Sequence, residues 1–269
     1  MPHMQTRNPN AKPAKVSDSL VYFEQENVRL RRIDYHAGET QSPHHHDFAS
    51  VTLVMRGDCL ESSEHDNHVS QACTVLIKPP HVSHANEYGD QGTLSLQIAF
   101  APQAFPFFPL GHACRHFEGG APATEMLALL RAAERMPEEE LIPFVTRAVA
   151  TVALACEQQP ASSVPQWLAD VADEIESAST DGVSVHRMAQ AAGIHPVSLA
   201  RAFRRHHACS ITEFVRRKRI VQASRRIAAG APSLADVAIE SGFADQPHFT
   251  RAFRAELGCT PGEFKKLVV

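Results

Sequence analysis

Asp236-Val-Ala-Ile-Glu-Ser-Gly-Phe-Ala-Asp-Gln-Pro-His-Phe-Thr-Arg-Ala-Phe-Arg-Ala-Glu-Leu-Gly-Cys-Thr-Pro-Gly-Glu-Phe264 is the stretch from which the rest of this 269-residue chain can be read. With the preceding Leu234, it sets Leu234, Val237, Ala238 and Ser241 at i, i+3, i+4 and i+7, one face of a short helix. Gly242 ends that helix, and Asp245 is placed to cap the next one. A glycine in a tight turn between two short helices is the helix-turn-helix pattern. On the second helix Phe249, Ala252 and Phe253 share one side, while Pro247, Arg251 and Arg254 oppose them. The apolar stripe fixes the helix, and the basic stripe is left facing outward.

The same unit occurs earlier. A shift of 50 residues brings Arg201-Ala-Phe-Arg204 onto Arg251-Ala-Phe-Arg254, Cys209 onto Cys259 and Glu213-Phe214 onto Glu263-Phe264. In this first copy Val185, Met188, Ala189 and Ala192 form the first stripe, Gly193 breaks it, and Pro196 opens the second helix. Leu199, Ala202 and Phe203 then oppose Val197, Arg201, Arg204 and Arg205. Between the copies, Ser210-Ile-Thr-Glu213 is a capping box. It opens a long connecting helix on which Phe214, Val221 and Ile227 can dock onto both units, and which carries Arg216, Arg217, Lys218, Arg219, Arg225 and Arg226. Thr260-Pro-Gly-Glu263 repeats the capping device.

Exposed arginines on a helix that fits the major groove point to DNA, because one guanidinium donates two bonds to guanine O6 and N7. Arg201 and Arg251 are the first candidates. Val197 can meet a thymine methyl, Gln246, His248 and Thr250 can reach base edges, and Ser198, Arg204, Arg205 and Arg254 complete the surface. Lys265, beside Lys266, suits phosphate. The plain alternative is that any of these arginines is held to phosphate or simply solvated, since more than half of protein–DNA hydrogen bonds go to the backbone. Charge agrees with a polyanion: from Val183 onward 14 Lys and Arg face six Asp and Glu, whereas residues 1–182 hold 12 against 24.

The quoted stretch resembles the AraC/XylS family signature through almost its whole length, and the resemblance covers residues 166–269. It implies two helix-turn-helix units, joined by a long helix, whose recognition helices enter successive major grooves on one DNA face. It also implies RNA polymerase as a partner. His195 stands where the family usually has Ser, and Ala208 where it usually has Gly.

Residues 20–100 read as short strands separated by turns, for instance Val28-Arg-Leu-Arg-Arg-Ile33, Ala49 to Met55 and Cys73 to Ile77. Gly38-x5-His44-x-His46-x3-Ser50-x6-Gly57 and Pro79-x-His81-x2-His84 resemble the two cupin motifs. On a strand His44 and His46 face the same side, and a hairpin can bring His84 against them. Three imidazoles suit a divalent transition metal. Ser50 stands in place of the family's glutamate ligand and Tyr88 in place of its Asn, so His44, His46, His84, Ser50 and Tyr88 are equally the lining of a polar effector site. His45 and His81 are expected to point away, and His65 and His68 to sit on a solvated hairpin tip.

The expected architecture is α+β. It has a tail (residues 1–18), a cupin-like β-barrel (19–110), a helical hairpin expected to pack on the barrel or alternatively to serve as a dimer seam (111–160), and an all-α double helix-turn-helix domain (161–269). The hairpin rests on helical spacing over Thr124 to Arg135 and Glu139 to Glu157, and Gln158 to Pro165 has linker composition. No run approaches the roughly 18 apolar residues of a membrane span. Dispersed cysteines without a C-x-x-C pair suit reduced thiols, hence a cytoplasmic protein. The sequence therefore predicts a DNA-binding regulator, expected as a homodimer, controlled by a small molecule or metal. A cupin-type metalloenzyme with an accessory nucleic-acid module is the alternative, and a protein-interaction module without DNA affinity the third reading.

Overall fold

The computed structural model describes residues 18–64, 67–158, 165–177, 184–207 and 209–269. Expectations placed on the first fifteen residues, on His65, on linker residues 159–164 and on Ala208 lie outside them.

Eight strands form one antiparallel sheet: β1 (Asp18–Gln25), β2 (Val28–Tyr35), β3 (Thr40–His44), β4 (Ala49–Ser63), β5 (Asn67–Gln71), β6 (Thr74–Lys78), β7 (His84–Phe100) and β8 (Arg115–Glu118). The order is β1-β2-β7-β4-β6-β8, with β3 added to β7 and β5 to β4. The long strands β4 and β7 run through both halves of the sheet, and bulges at Val54/Arg56 and Gly57/Cys59 interrupt their ladder. Bulges bend and twist a strand, so the sheet rolls toward a barrel there. Gly57 is required at that bend: its φ is +75°, and a Cβ would lie 1.8 Å from the Gly92 carbonyl oxygen.

Strand alternation divides the sheet into two faces. Leu30, Ile98 and Val51 are cross-strand partners on the face that carries the apolar core, while their neighbours Arg31, Gln97 and Thr52 pair on the inner face. The lumen is accordingly polar, and the main apolar core lies outside it, between sheet and helices. The sheet begins at Asp18 and extends past the expected limit of 110, because β8 zips onto β6 from Arg115↔Ile77 to Glu118↔Thr74. Four residues of mixed polarity carry too little alternation to announce a strand.

Helices α1 (Gly120–Ala133) and α2 (Ile142–Gln158) form the hairpin. The stripe expected to pack on the barrel or to serve as a dimer seam, comprising Met126, Leu127, Leu130, Leu141, Val145, Val149 and Val152, is buried in the core. The outer side of α2 carries Leu154, which is 56% exposed.

The remaining helices are α3 (Gln166–Ser177), α4 (Val185–Ala191), α5 (Pro196–His207), α6 (Ile211–Ala228), α7 (Leu234–Glu240), α8 (Gln246–Leu257) and α9 (Pro261–Val268). They divide between two cores. Leu168, Val171, Ile175, Met188, Ala189, Leu199, Phe203 and Ile211 form a small cluster of their own. Val221, Ile227, Phe249, Phe253 and Phe264 belong to the same cluster as the sheet and hairpin.

Candidate functional site

Each helix-turn-helix is built by the same local devices. Ser184 and Ser233 cap α4 and α7 by accepting from Arg187 N–H and Asp236 N–H. The turns close on Gly193 and Gly242, whose φ values of +65° and +77° favour glycine. Asp245 caps α8 through His248 N–H, and at the matching place in the first unit the His195 ring accepts from Val197 N–H at 3.2 Å. His195 thus does in the first unit the capping that Asp245 does in the second.

On α5 Leu199 and Phe203 are fully buried, Val197 is 50% exposed, and Ser198, Arg201, Arg204 and Arg205 are exposed. On α8 Phe249 and Phe253 are buried, Gln246, His248, Arg251 and Arg254 are exposed, and Thr250 is half-buried. Among the described residues, none of these five arginines forms an ion pair. A guanidinium left in water keeps all its donors for an incoming acceptor.

The basic residues of α6 are placed differently. Lys218 and Arg225 grip Glu118 at 2.7 and 2.9 Å, Arg217 and Arg216 reach Glu256 at 2.7 and 3.8 Å, and Arg226 pairs with Glu240. Arg219 donates to the Gly242 carbonyl at 3.2 Å. Burial alone would raise the Glu118 carboxyl, but Lys218 and then Arg225 hold it below the usual carboxylate range. These charges join the barrel's last strand to the connecting helix. Further contacts support the joint: Thr124 Oγ1 donates to the Glu256 carbonyl at 2.7 Å, and Arg131 donates to that of Gly258 at 2.8 Å. Lys265, expected at phosphate, turns its ammonium to the Ala231 carbonyl at 2.8 Å, where it ties α9 to the α6–α7 turn.

In the barrel, His44, His46 and His84 converge: their nearest ligand atoms lie within 4.8 Å of one another, and ring centroids are 4.5 Å apart for His44–His84 and 4.9 Å for His44–His46. β3 ends at His44, so His46 lies in the β3–β4 connection and not on the strand. Burial first, then the neighbouring positive groups, lowers His46 to about 4 and His84 to about 3. Both rings are therefore neutral near pH 7, the form that binds metal. His44 and His84 anchor Nδ1 on the carbonyls of Ser42 and Val82, and buried His84 Nε2 has no hydrogen-bond partner among the described residues. That orphaned atom and the donor set fit a divalent transition metal. Ser50 is buried in register with Lys78, and Tyr88 stacks on Tyr35 with its hydroxyl donating to Gln41 Oε1 at 3.3 Å.

Sequence reading missed the rest of the lumen. Lys78 forms an ion pair with Glu61 and donates to Asn86 Oδ1, and Asn86 donates to Gln41. Arg31 gives two bonds, 2.9 and 2.7 Å, to Gln97 Oε1 and has no carboxylate partner among the described residues. A signal was present: Arg31 and Ile33 share a strand face, and Ile33 is fully buried. His68, expected on a solvated tip, lies on β5 with its ring stacked on His116 at 3.3 Å.

Residues 188–267 match the family model described as "Helix-turn-helix domain". The chain is 27% identical over 105 residues to the probable transcription factor PqrA of Proteus vulgaris, covering 39% of this chain and 82% of that one. It is 22% identical over 249 residues to the transcriptional activator RhaS of Enterobacter sp. (strain 638), covering 83% and 87%. Among solved structures, ToxT of Vibrio cholerae superposes with a TM-score of 0.41 at 8% identity, over 91% of this chain and all of that one.

Proposed function

We propose that this chain is a transcription regulator of the AraC/XylS type, in which α5 and α8 read adjacent turns of one DNA face through Arg201 and Arg251, under control of an effector in the barrel; the helix-turn-helix match over residues 188–267 and the likeness to transcription factors support the reading. The observation that carries the reading is the division of basic residues. Those of α6 are occupied internally, whereas the arginines of both recognition helices stand exposed beyond buried phenylalanines.

The effector is a small polar molecule. It would enter a lumen edged by Arg31, Lys78, Gln97, Tyr88 and the three imidazoles, and a metal at His44, His46 and His84 would supply a Lewis-acid anchor there. A ligand can shift the regulator only by binding two arrangements unequally. The joint at Glu118 is where such a difference reaches the DNA-binding helices. A sensor also fits the barrel better than an enzyme, since the lumen carboxylate of Glu61 is locked to Lys78. A homodimer, RNA polymerase contact and a cytoplasmic setting belong to the same proposal; the outer side of α2 around Leu154 is the face left for a second chain.

Promoter binding measured across a salt series tests the assignment. Specific affinity should fall steeply with salt while sequence preference survives. Arg201→Ala and Arg251→Ala should each weaken it by about 1–3 kcal/mol and relax preference in their own half-site. A double variant that keeps wild-type affinity and preference would remove both residues from the interface.

A further inference from the structure

The His-rich rim of the barrel has an outer side as well as an inner one. Between β3 and β4 the chain runs His44-His45-His46-Asp47 and presents alternate residues to opposite sides: His44 and His46 join the inner cluster, while His45 and Asp47 are exposed. The β6–β7 loop repeats the division, with His84 inside and His81 outside. On that outer side His45, Asp47 and His81 bring one ligand atom each within 4.8 Å of the others.

We propose that His45, Asp47 and His81 form a second binding site for a divalent transition metal, back to back with the inner imidazoles. His81 Nδ1 lies 3.5 Å from Asp47 Oδ1. That is longer than a good hydrogen bond. It matches the separation of about 3.4 Å between two donors that share a tetrahedral ion with bonds near 2.0–2.1 Å. Among the described residues neither side chain has another hydrogen-bond or ion-pair partner. Their side chains are 68% and 90% exposed, so water can complete the coordination shell.

The backbone holds this arrangement in advance. His81 adopts φ +63°, a left-handed conformation that a residue with a Cβ rarely takes. Its N–H donates to the His46 carbonyl at 2.7 Å, which staples the β6–β7 loop to the β3–β4 connection at the point where the three side chains meet. Two imidazoles and a carboxylate select zinc, nickel or cobalt over calcium and magnesium, which prefer all-oxygen shells. An ion there clips together the two segments that carry the inner histidines. The site stands on residues separate from those of the proposed effector site.

Zinc titration of the untagged full-length protein, with magnesium as control, is the test. Asp47→Asn and His81→Gly are the variants; glycine accepts the left-handed φ, so loss of binding there reports the imidazole and not a rearranged loop. Both should lose one zinc per chain or bind it about tenfold or more weakly, while the metal-free proteins remain folded. A His44→Ala, His46→Ala protein should keep that outer zinc, so failure of the inner cluster leaves this result standing. Zinc binding by Asp47→Asn and His81→Gly equal to wild type, or no zinc uptake by the wild-type chain, overturns the site.

Discussion

The two helix-turn-helix units share a plan and differ in what holds them. In the first, Leu199 and Phe203 pack into a small cluster with α3, α4 and Ile211 at the start of α6. In the second, Phe249, Phe253 and Phe264 are part of the core that also contains the barrel's outer face and the α1–α2 hairpin. The second unit is therefore fastened to the barrel, and the first connects to it through α6. A duplicated sequence motif need not give two equivalent parts, because burial depends on what lies across from each stripe.

This contrast can be broken most forcefully in the cores. Phe203→Ala and Phe253→Ala each delete a fully buried ring, at a cost of about 3–5 kcal/mol. Calorimetry should show Phe203→Ala lowering a separate transition of the first unit while barrel unfolding stays in place. Phe253→Ala should lower the main transition, barrel included. One transition moving equally in both variants would mean that the cores are a single cooperative unit.

A smaller effect is expected at the joint. Glu118→Ala leaves Lys218 and Arg225 without their carboxylate and should destabilise the second unit's attachment by about 2 kcal/mol. The folded pKa of Glu118 is depressed, so its contribution is complete above the unfolded value of about 4.3 and disappears as pH falls through the lower folded value. Stability measured against pH should therefore show an acid loss in the wild type that is weaker in Glu118→Ala. Parallel profiles would leave the clamp without an energetic role.

The mildest test compares the caps. Asp245→Ala should cost about 1 kcal/mol, whereas His195→Ser should leave the first unit's melting near wild type, because serine restores the more usual cap at a position where His195 already accepts from Val197 N–H. A loss of a full kcal/mol or more in His195→Ser would show that the imidazole does more than cap.

What could be read from the sequence followed the range of the interactions. The turns at Gly193 and Gly242, the capping boxes at Ser210 and Thr260, and the buried stripes of α5 and α8 are set within a few residues, and the structure contains each of them. β8 escaped notice because it is a strand only by virtue of β6 beside it. The buried stripe of α1 and α2 was legible as apolar, but not as core or seam, since periodicity says which residues seek burial and not which surface provides it. Lys265 reads from the sequence as suited to phosphate, whereas its ammonium donates to the Ala231 carbonyl, 34 residues away.

By itself the amino-acid order determined two helix-turn-helix units with basic outer faces and a His-bearing strand region ahead of them, because helical period, glycine turns and caps act locally. Only the tertiary structure decided which cations remain exposed, which unit is joined to the barrel through Glu118, and that the barrel's lumen is polar with Arg31 inside. Those outcomes depend on pairs such as Glu118 with Lys218, 100 residues apart, or Arg31 with Gln97, 66 residues apart. Such partners are chosen when sheet and helices close on one another, and no local pattern records the choice.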